Sequence, residues 1–426
     1  MRTFRGIFTP SLRYDEEMAH DLITRLLSKH QRSQNRWIGL EVERHLRLAQ
    51  GQMARYEPHL KPALQSLIQN KGWRVDYEVD GHVLGLMKNL HMISLEPGSQ
   101  FEFGIAPRKT LQEVVEAQAQ LDAELMSLPE FAGMSFLCTG VNPWENADTI
   151  EILPSPRYRL MDSYFQSLKG RGREMMRLTC GLQINLDFAS EAEGVEMFRA
   201  VLASAPYLAT LFSNSPFYHG KASGVLSERH SIWKKTDPKR SGFLDFAFRP
   251  NWTFATYAEA VSQIPLMYAY DKSNKVFDPQ GASLKTLEPR LQEFNALAAM
   301  RQVFTEVRFK PCCVEIRCFD AVENDLRWAA TALCVGLFYD EENRRSLARK
   351  ADLLTSSRAQ TLMDEGAKLG LKADHHFEVI QDLVKQAASG LVRRGFGEEK
   401  FLSALEPLLL TRKTPADVLV DQKSLV

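Results

Sequence analysis

The chain is expected to fold as an α+β protein in which a strand-rich core over about 37–320 is followed by a helical part over about 326–426. Three observations predict it. Period-2 alternation of apolar and polar residues recurs in the first three quarters of the chain, and helical periodicity dominates after it. Neither an internal repeat nor a low-complexity linker separates the two parts, so residues 1–426 read as one unit.

Met18, Leu22, Ile23, Leu26 and Leu27 recur at helical spacing and predict an amphipathic helix over 14–30, closed by the polar stretch KHQRSQNR. WIGLEVE at 37–43 alternates as a half-buried strand does, with Ile38, Leu40 and Val42 on one face and Gly39, Glu41 and Glu43 on the other. A helix through the fifties and sixties leads into 73–98, read as short strands broken at Asp80-Gly81 and at Pro97-Gly98. FEFG follows at 101–104, and 109–127 is a helix by pattern and propensity. Strands resume near FLCTGVNP and over 178–188, and 190–212 is helical. The segment 213–252 is rich in Ser, Gly, Asn and Pro with basic residues, a long irregular stretch of the kind that carries function. VRFKPCCVEIRCFD at 307–320 reads as one strand, with an apolar helix at 326–339 and further helices to about 411.

Lysine plus arginine equals aspartate plus glutamate at 53 each, so no global field favours nucleic acid or an anionic membrane. No apolar run approaches the ~20 residues that span a bilayer. The start, MRTFRGIFTPSLRYDEE, lacks the apolar core of a secretory signal, and a cytoplasmic location is the expectation. The six cysteines (Cys138, Cys180, Cys312, Cys313, Cys318, Cys334) form no CxxC pair and read as buried small hydrophobes. Monomer and homodimer are both open.

The candidate chemistry lies in four strands that carry carboxylate, amide or guanidinium groups at every second position. Glu41 and Glu43 share one face; Gln100 and Glu102 share another, with Glu96 just upstream; Gln183, Asn185 and Asp187 share a third; Glu315 and Arg317 share a fourth. A solvated sheet face also alternates. Here, however, the polar residues are largely acids and amides beside the small Gly39 and Gly104, which leave room for a ligand. Clustered carboxylates repel unless protonated or neutralised by cations. Oxygen ligands without paired His or Cys favour Mg²⁺ or Mn²⁺ over zinc, and Mg²⁺ is commonly shared with substrate phosphates.

Lys221, Arg229, His230, Lys234, Lys235, Lys239 and Arg240 in the irregular segment could hold phosphates or a substrate carboxylate, or form a solvated basic loop. No GxxxxGK[ST] occurs, GRGREM at 170–175 lacks the third glycine of a dinucleotide turn, and no GxSxG surrounds Ser213 or Ser215. His375-His376 reads as a solvated pair or a helix cap rather than a metal site.

Ordered blocks along the chain resemble the glutamate-cysteine ligases of plants and many proteobacteria, relatives of the glutamine-synthetase-like ligases. They are IGLEVE at 38–43, SLEPGSQFEFGIAP at 94–107, PRYRLMDSYF at 156–165, GREMMRLTCGLQINLDF at 172–188, LFSNSPFYHGKASGVLSERHSIWKKTDPKRSG at 211–242 and EVRFKPCCVEIRCFD at 306–320. VRRGFGEEKFL at 392–402 and KTPAD at 413–417 resemble the family's tail.

The resemblance implies a funnel-shaped, mainly antiparallel sheet flanked by helices, with Mg²⁺ holding ATP at one end. It implies Glu41, Glu43, Glu96, Glu102, Gln183 and Glu315 as the metal set, and Arg317 with Lys310 on the nucleotide phosphates. Arg317 and Glu41 would be the catalytic pair, and Arg229 would grip glutamate beside Trp233. The implied reaction joins the γ-carboxylate of glutamate to the amine of cysteine through γ-glutamyl phosphate, the first step of glutathione synthesis; the alternative is the same mechanism with another amine. Glu315→Gln is then expected to remove turnover and leave the fold intact. No cysteine follows Cys334, so the plant-type cysteine-pair switch is not expected.

Overall fold

The computed structural model describes residues 18–29 and 36–422. The first seven strands are β1 (Ile38–Arg47), β2 (Arg74–Val79), β3 (His82–Lys88), β4 (His91–Leu95), β5 (Phe101–Arg108), β6 (Ser135–Leu137) and β7 (Gly181–Asp187). Six two-residue strands follow: β8 (Phe217–Tyr218), β9 (Lys221–Ala222), β10 (Ser241–Gly242), β11 (Ala269–Tyr270), β12 (Val276–Phe277) and β13 (Phe304–Thr305). The hairpin β14 (Val307–Lys310) and β15 (Cys313–Asp320) closes the series.

One nine-stranded sheet organises the molecule, in the order β14-β15-β7-β1-β5-β4-β3-β2 with β6 on β1. Every pairing in it is antiparallel. The alternation in the sequence sets its two faces. Leu40, Val42, Leu182, Ile184, Leu186, Val314 and Ile316 are buried on the core side, each such side chain contributing about 1.5–3 kcal/mol by leaving water. Phe101 and Phe103 of β5 pack edge-on near Phe131 and Phe136. Because the side-chain period is two, the intervening residues of β1, β5, β7 and β15 all emerge on the opposite face.

Helices cover the core side. Glu191–Leu211 packs against β15, and Glu341–Ala351 and Ser356–Leu369 pack against that helix in turn. Asn324–Phe338 crosses Asp374–Arg394 at Gly336 and Gly390, where an added Cβ would meet Ala387 O at 2.3 Å and Gly336 O at 2.1 Å. The helix Leu111–Met126 opens on a capping box between Thr110 and Glu113, a start the sequence signals directly. Among the described residues no helix is long and apolar enough to cross a membrane.

Several sequence expectations change. The predicted helix over 14–30 is observed as Ala19–Ser28, and residues 14–17 and 30 lie outside the described residues. A turn at Asn89-Leu90 separates β3 from β4, with both residues at positive φ (50° and 67°). It has the same backbone as Asp80-Gly81 but lacks the glycine that betrays such turns. The stretch 307–320 is a hairpin rather than one strand, because Pro311 cannot continue the ladder and the chain reverses at Pro311-Cys312. Helices at Pro156–Leu168, Gly172–Leu178, Phe254–Ser262 and Pro289–Arg301 add to those read from the pattern.

Candidate functional site

Register brings the acids together. Glu43 of β1 stands directly opposite Glu102 of β5, and Glu41 stands opposite Gln183 of β7 and Gly104 of β5. Glu96 sits in the tight connection between β4 and β5, where its N–H donates to Gln100 O at 2.9 Å. Like charges directly opposed across a sheet are destabilising, and the carboxyls register it. Burial, followed by Glu96, Glu41 and Glu43, pushes the Glu102 carboxyl well above the usual range. Burial and then Glu96 push Glu43 up to about 7, against the pull of Arg229, Arg317 and the Gly181 N–H. Glu43 is fixed in place, accepting from Gly181 N at 2.6 Å and Gln183 Nε2 at 2.8 Å. The other end of that amide, Gln183 Oε1, is buried without a hydrogen-bond partner.

This donor set fits a divalent cation. Three crowded carboxylates and an orphaned amide oxygen are hard ligands, and a cation between them would relieve the repulsion that burial enforces. Among the described residues no three His, Cys, Asp or Glu side chains are already gathered at metal-binding spacing. Of the six implied ligands, Glu43, Glu96, Glu102 and Gln183 adjoin, whereas Glu41 and Glu315 are drawn toward cations.

The cationic half is built by the β14–β15 hairpin. Arg308 and Lys310 of β14 share a face with Glu315 and Arg317 of β15, since Arg308 pairs with Glu315 and Lys310 with Cys313. Glu315 is fully buried and meets Arg308, Lys310 (2.8 Å) and Arg317 (3.1 Å). Burial alone would raise its carboxyl; the three cations reverse this and hold it well below the usual range. Lys310 bridges to Glu41, which also accepts from Asn185 Nδ2 at 2.9 Å. The acid wall and the cationic wall therefore meet at Glu41.

Beyond Arg317 lies an arginine-tryptophan cluster built by the short helix Glu228–Lys234. Trp233 stacks beside both Arg229 and Arg317, with centroid distances of 5.2 and 5.6 Å. Arg229 is buried and donates from Nη2 to Arg317 O at 3.1 Å. Gly181 makes this approach possible, because a Cβ there would meet Arg229 Nη2 at 2.9 Å. Arg229 Nε, Arg317 Nε and Trp233 Nε1 are all buried donors without an acceptor.

Asp320, at the end of β15, anchors the helix. It accepts from Asn214 N at 2.8 Å, Ser215 Oγ at 2.7 Å and Ser227 Oγ at 3.0 Å. Ser227 Oγ caps the helix by accepting from His230 N, and Ser215 Oγ accepts from Arg229 N at 3.1 Å. The serine that fits no hydrolase motif thus has a structural task.

Other sequence-derived candidates lie elsewhere. Gln100 is a clamp, accepting from Gly98 N and donating to Met176 O and Thr179 O. Asp187 lies at the far end of β7 and accepts from Tyr339 OH at 2.6 Å. Gly39 and Gly104 leave room for neighbouring side chains, Asn185 and Met92, rather than for a ligand. The basic segment does not converge: Arg240 is buried on Asp237, His230 and Lys234 hold Asp364, Lys221 is exposed, and Arg229 alone of these faces the sheet. His376 is buried on Leu362 O rather than solvated, whereas His375 is exposed in the first turn of its helix, as expected, and meets Tyr207. Five cysteines are buried as expected, but Cys312 is exposed at the hairpin turn. Sequence reading missed Arg157, stacked among Tyr77, Tyr158 and Tyr268 with its Nε buried and unpartnered. It also missed Glu306.

The family model described as glutamate-cysteine ligase family 2 matches residues 38–423. The chain is 35% identical over 372 residues to a chloroplastic glutamate-cysteine ligase of Solanum lycopersicum, covering 84% of this chain and 70% of that one. It is 32% identical over 422 residues to one from Nicotiana tabacum, covering 95% and 80%. A solved glutamate-cysteine ligase from Francisella tularensis, in complex with AMP, superimposes with a TM-score of 0.55 at 12% identity, over 92% of this chain and 85% of that one; this is a likeness of fold. The acid wall, the cationic hairpin and the arginine-tryptophan cluster all lie within the matched span, and the chain belongs to glutamate-cysteine ligase family 2.

Proposed function

We propose that the protein joins the γ-carboxylate of L-glutamate to the amine of L-cysteine at the expense of ATP, giving γ-glutamylcysteine, ADP and phosphate, the first step of glutathione synthesis. The observation that carries this reading is the meeting of two opposed charge environments on one sheet face: acids at Glu43, Glu96 and Glu102, cations at Lys310, Arg317 and Arg229. A carboxylate is a poor acyl donor until phosphorylated, and such a transfer needs both kinds of group at close quarters.

Glu43, Glu96, Glu102 and Gln183 would hold Mg²⁺ or Mn²⁺. Bound there, the ion supplies charge neutralisation for the phosphates. Arg229, with Trp233 as a wall, orients glutamate so that its γ-carboxylate attacks the γ-phosphorus of ATP. Lys310 and Arg317 stabilise the negative charge on the transferred group. The cysteine amine then attacks the acyl carbon of γ-glutamyl phosphate, and phosphate leaves. The buried Arg229 and the half-buried Trp233 limit water, which would otherwise hydrolyse the acyl phosphate. Glu41 sets the position of Lys310, to which it is paired.

Phosphate release from ATP and Mg²⁺ with glutamate, compared across cysteine and other small amines, tests the reading. Stimulation by cysteine with γ-glutamylcysteine identified by mass is the expected result. Stimulation by a different amine would replace the acceptor, and release independent of glutamate would overturn the proposal.

A further inference from the structure

Glu306, between β13 and β14, is absent from every role assigned above. Its backbone C=O accepts from Arg317 N at 2.9 Å, so it stands across from Arg317. The register that pairs Arg308 with Glu315 places Glu306, Arg308 and Lys310 on one face of that edge. Its half-buried carboxyl faces Arg229, Arg317 and His230, and burial raises it above the usual carboxylate range. Among the described residues no hydrogen bond or ion pair reaches that carboxylate. The two arginines it faces each carry a buried Nε without an acceptor, and Trp233, stacked beside both, adds a third such donor at Nε1.

Unsatisfied groups of this kind are costly unless a ligand completes them. Several donors call for an anion, and one unpaired carboxylate beside them calls for a cation. An α-amino acid carries both on a single carbon. Resting on the ligase reading, we infer that Glu306 receives the α-ammonium of the glutamate substrate while Arg229 receives its α-carboxylate. The pair would recognise the zwitterionic end and leave the γ-carboxylate pointing along the sheet toward Arg317 and Lys310. Glu306 is then a specificity residue, selecting an α-amino acid over a plain dicarboxylic acid.

Glutarate, which keeps both carboxylates and lacks the amine, is the probe. The wild-type enzyme is expected to prefer L-glutamate over glutarate by about 10- to 100-fold in kcat/KM, the worth of a charged hydrogen bond. Glu306→Gln should raise the KM for glutamate, leave the KM for ATP near its wild-type value and shrink the preference over glutarate at least tenfold. An unchanged preference in the folded variant would overturn the inference, even with wild-type γ-glutamylcysteine formation intact. Equal use of glutarate and glutamate by the wild type would overturn it without any variant. Failure of the ligase reading appears separately, as no cysteine-dependent product from glutamate at all.

Discussion

Glu315→Gln should cost both turnover and stability, because the carboxylate it removes is the counter-charge of a buried cluster. Glu315 is 0% exposed and meets Arg308, Lys310 and Arg317. Lys310 keeps Glu41, and Arg308 keeps the carbonyls of Arg301 (2.9 Å) and Val303 (3.0 Å), but neither carbonyl carries a full charge. Removing one partner of a buried ion pair costs about 3–5 kcal/mol. For a chain of 426 residues the unfolding entropy is about 0.9 kcal/mol per degree, so the Tm falls by about 3–6 °C. The fold is still expected to stay intact, at a lower Tm.

Adding Arg308→Gln removes one of the stranded cations and should recover about 1–3 kcal/mol of the loss, read as a double-mutant cycle in thermal unfolding. Cysteine-dependent phosphate release should stay absent in the double variant, since Glu315 no longer sets Lys310 and Arg317. An unaltered Tm in Glu315→Gln, or wild-type turnover in either variant, would refute the account of the hairpin.

Asp320→Asn keeps the shape but lets the amide accept from fewer of its three donors; we expect a loss of about 1–3 kcal/mol and a roughly tenfold rise in KM for glutamate, with KM for ATP nearly unchanged. Equal effects on both substrates would count against its action through the Arg229 helix. Mg²⁺ at about 100-fold over its Kd should raise the Tm by about 3 °C, and Glu102→Gln should more than halve that gain; an undiminished gain would remove Glu102 from the cation site. His45 is buried, and burial with Arg55 pushes its imidazole down to about 4, while Leu178 O at 3.1 Å opposes the fall. The unfolded chain, titrating near 6.5, then binds the proton first, so stability is complete above pH 6.5 and lost as pH falls toward 4. The loss is about 2 kcal/mol at pH 5. Denaturant unfolding at pH 7 and pH 5 should differ by about that much more in the wild type than in His45→Gln, and identical differences would refute it.

The strands were legible because alternation is a local signal: Ile38, Leu40 and Val42 against Glu41 and Glu43 is the burial pattern itself. What alternation leaves open is the partner strand. Glu43 opposite Glu102, and Glu41 opposite Gln183, follow from register between segments some 60 and 140 positions apart, which no single-strand pattern encodes. The same limit explains the errors. Gln100 shares its parity with Glu102 yet lies just before β5, turned into the Gly98 loop. The seven cations of 213–252 look equivalent in sequence and are separated by partners as distant as Asp364.

Glu306 was missed for a different reason. An acid beside a valine at the start of a strand has no signature of its own; its meaning comes from Arg317, placed across from it by the reversal at Pro311. That reversal was readable, since proline in a presumed strand argues for a turn or an edge. Splitting 307–320 at Pro311 would have folded Arg308 onto Glu315 and Glu306 toward Arg317, and with them the charge logic of the site: one acid saturated by cations, and its neighbour along the same edge left unpaired for the substrate.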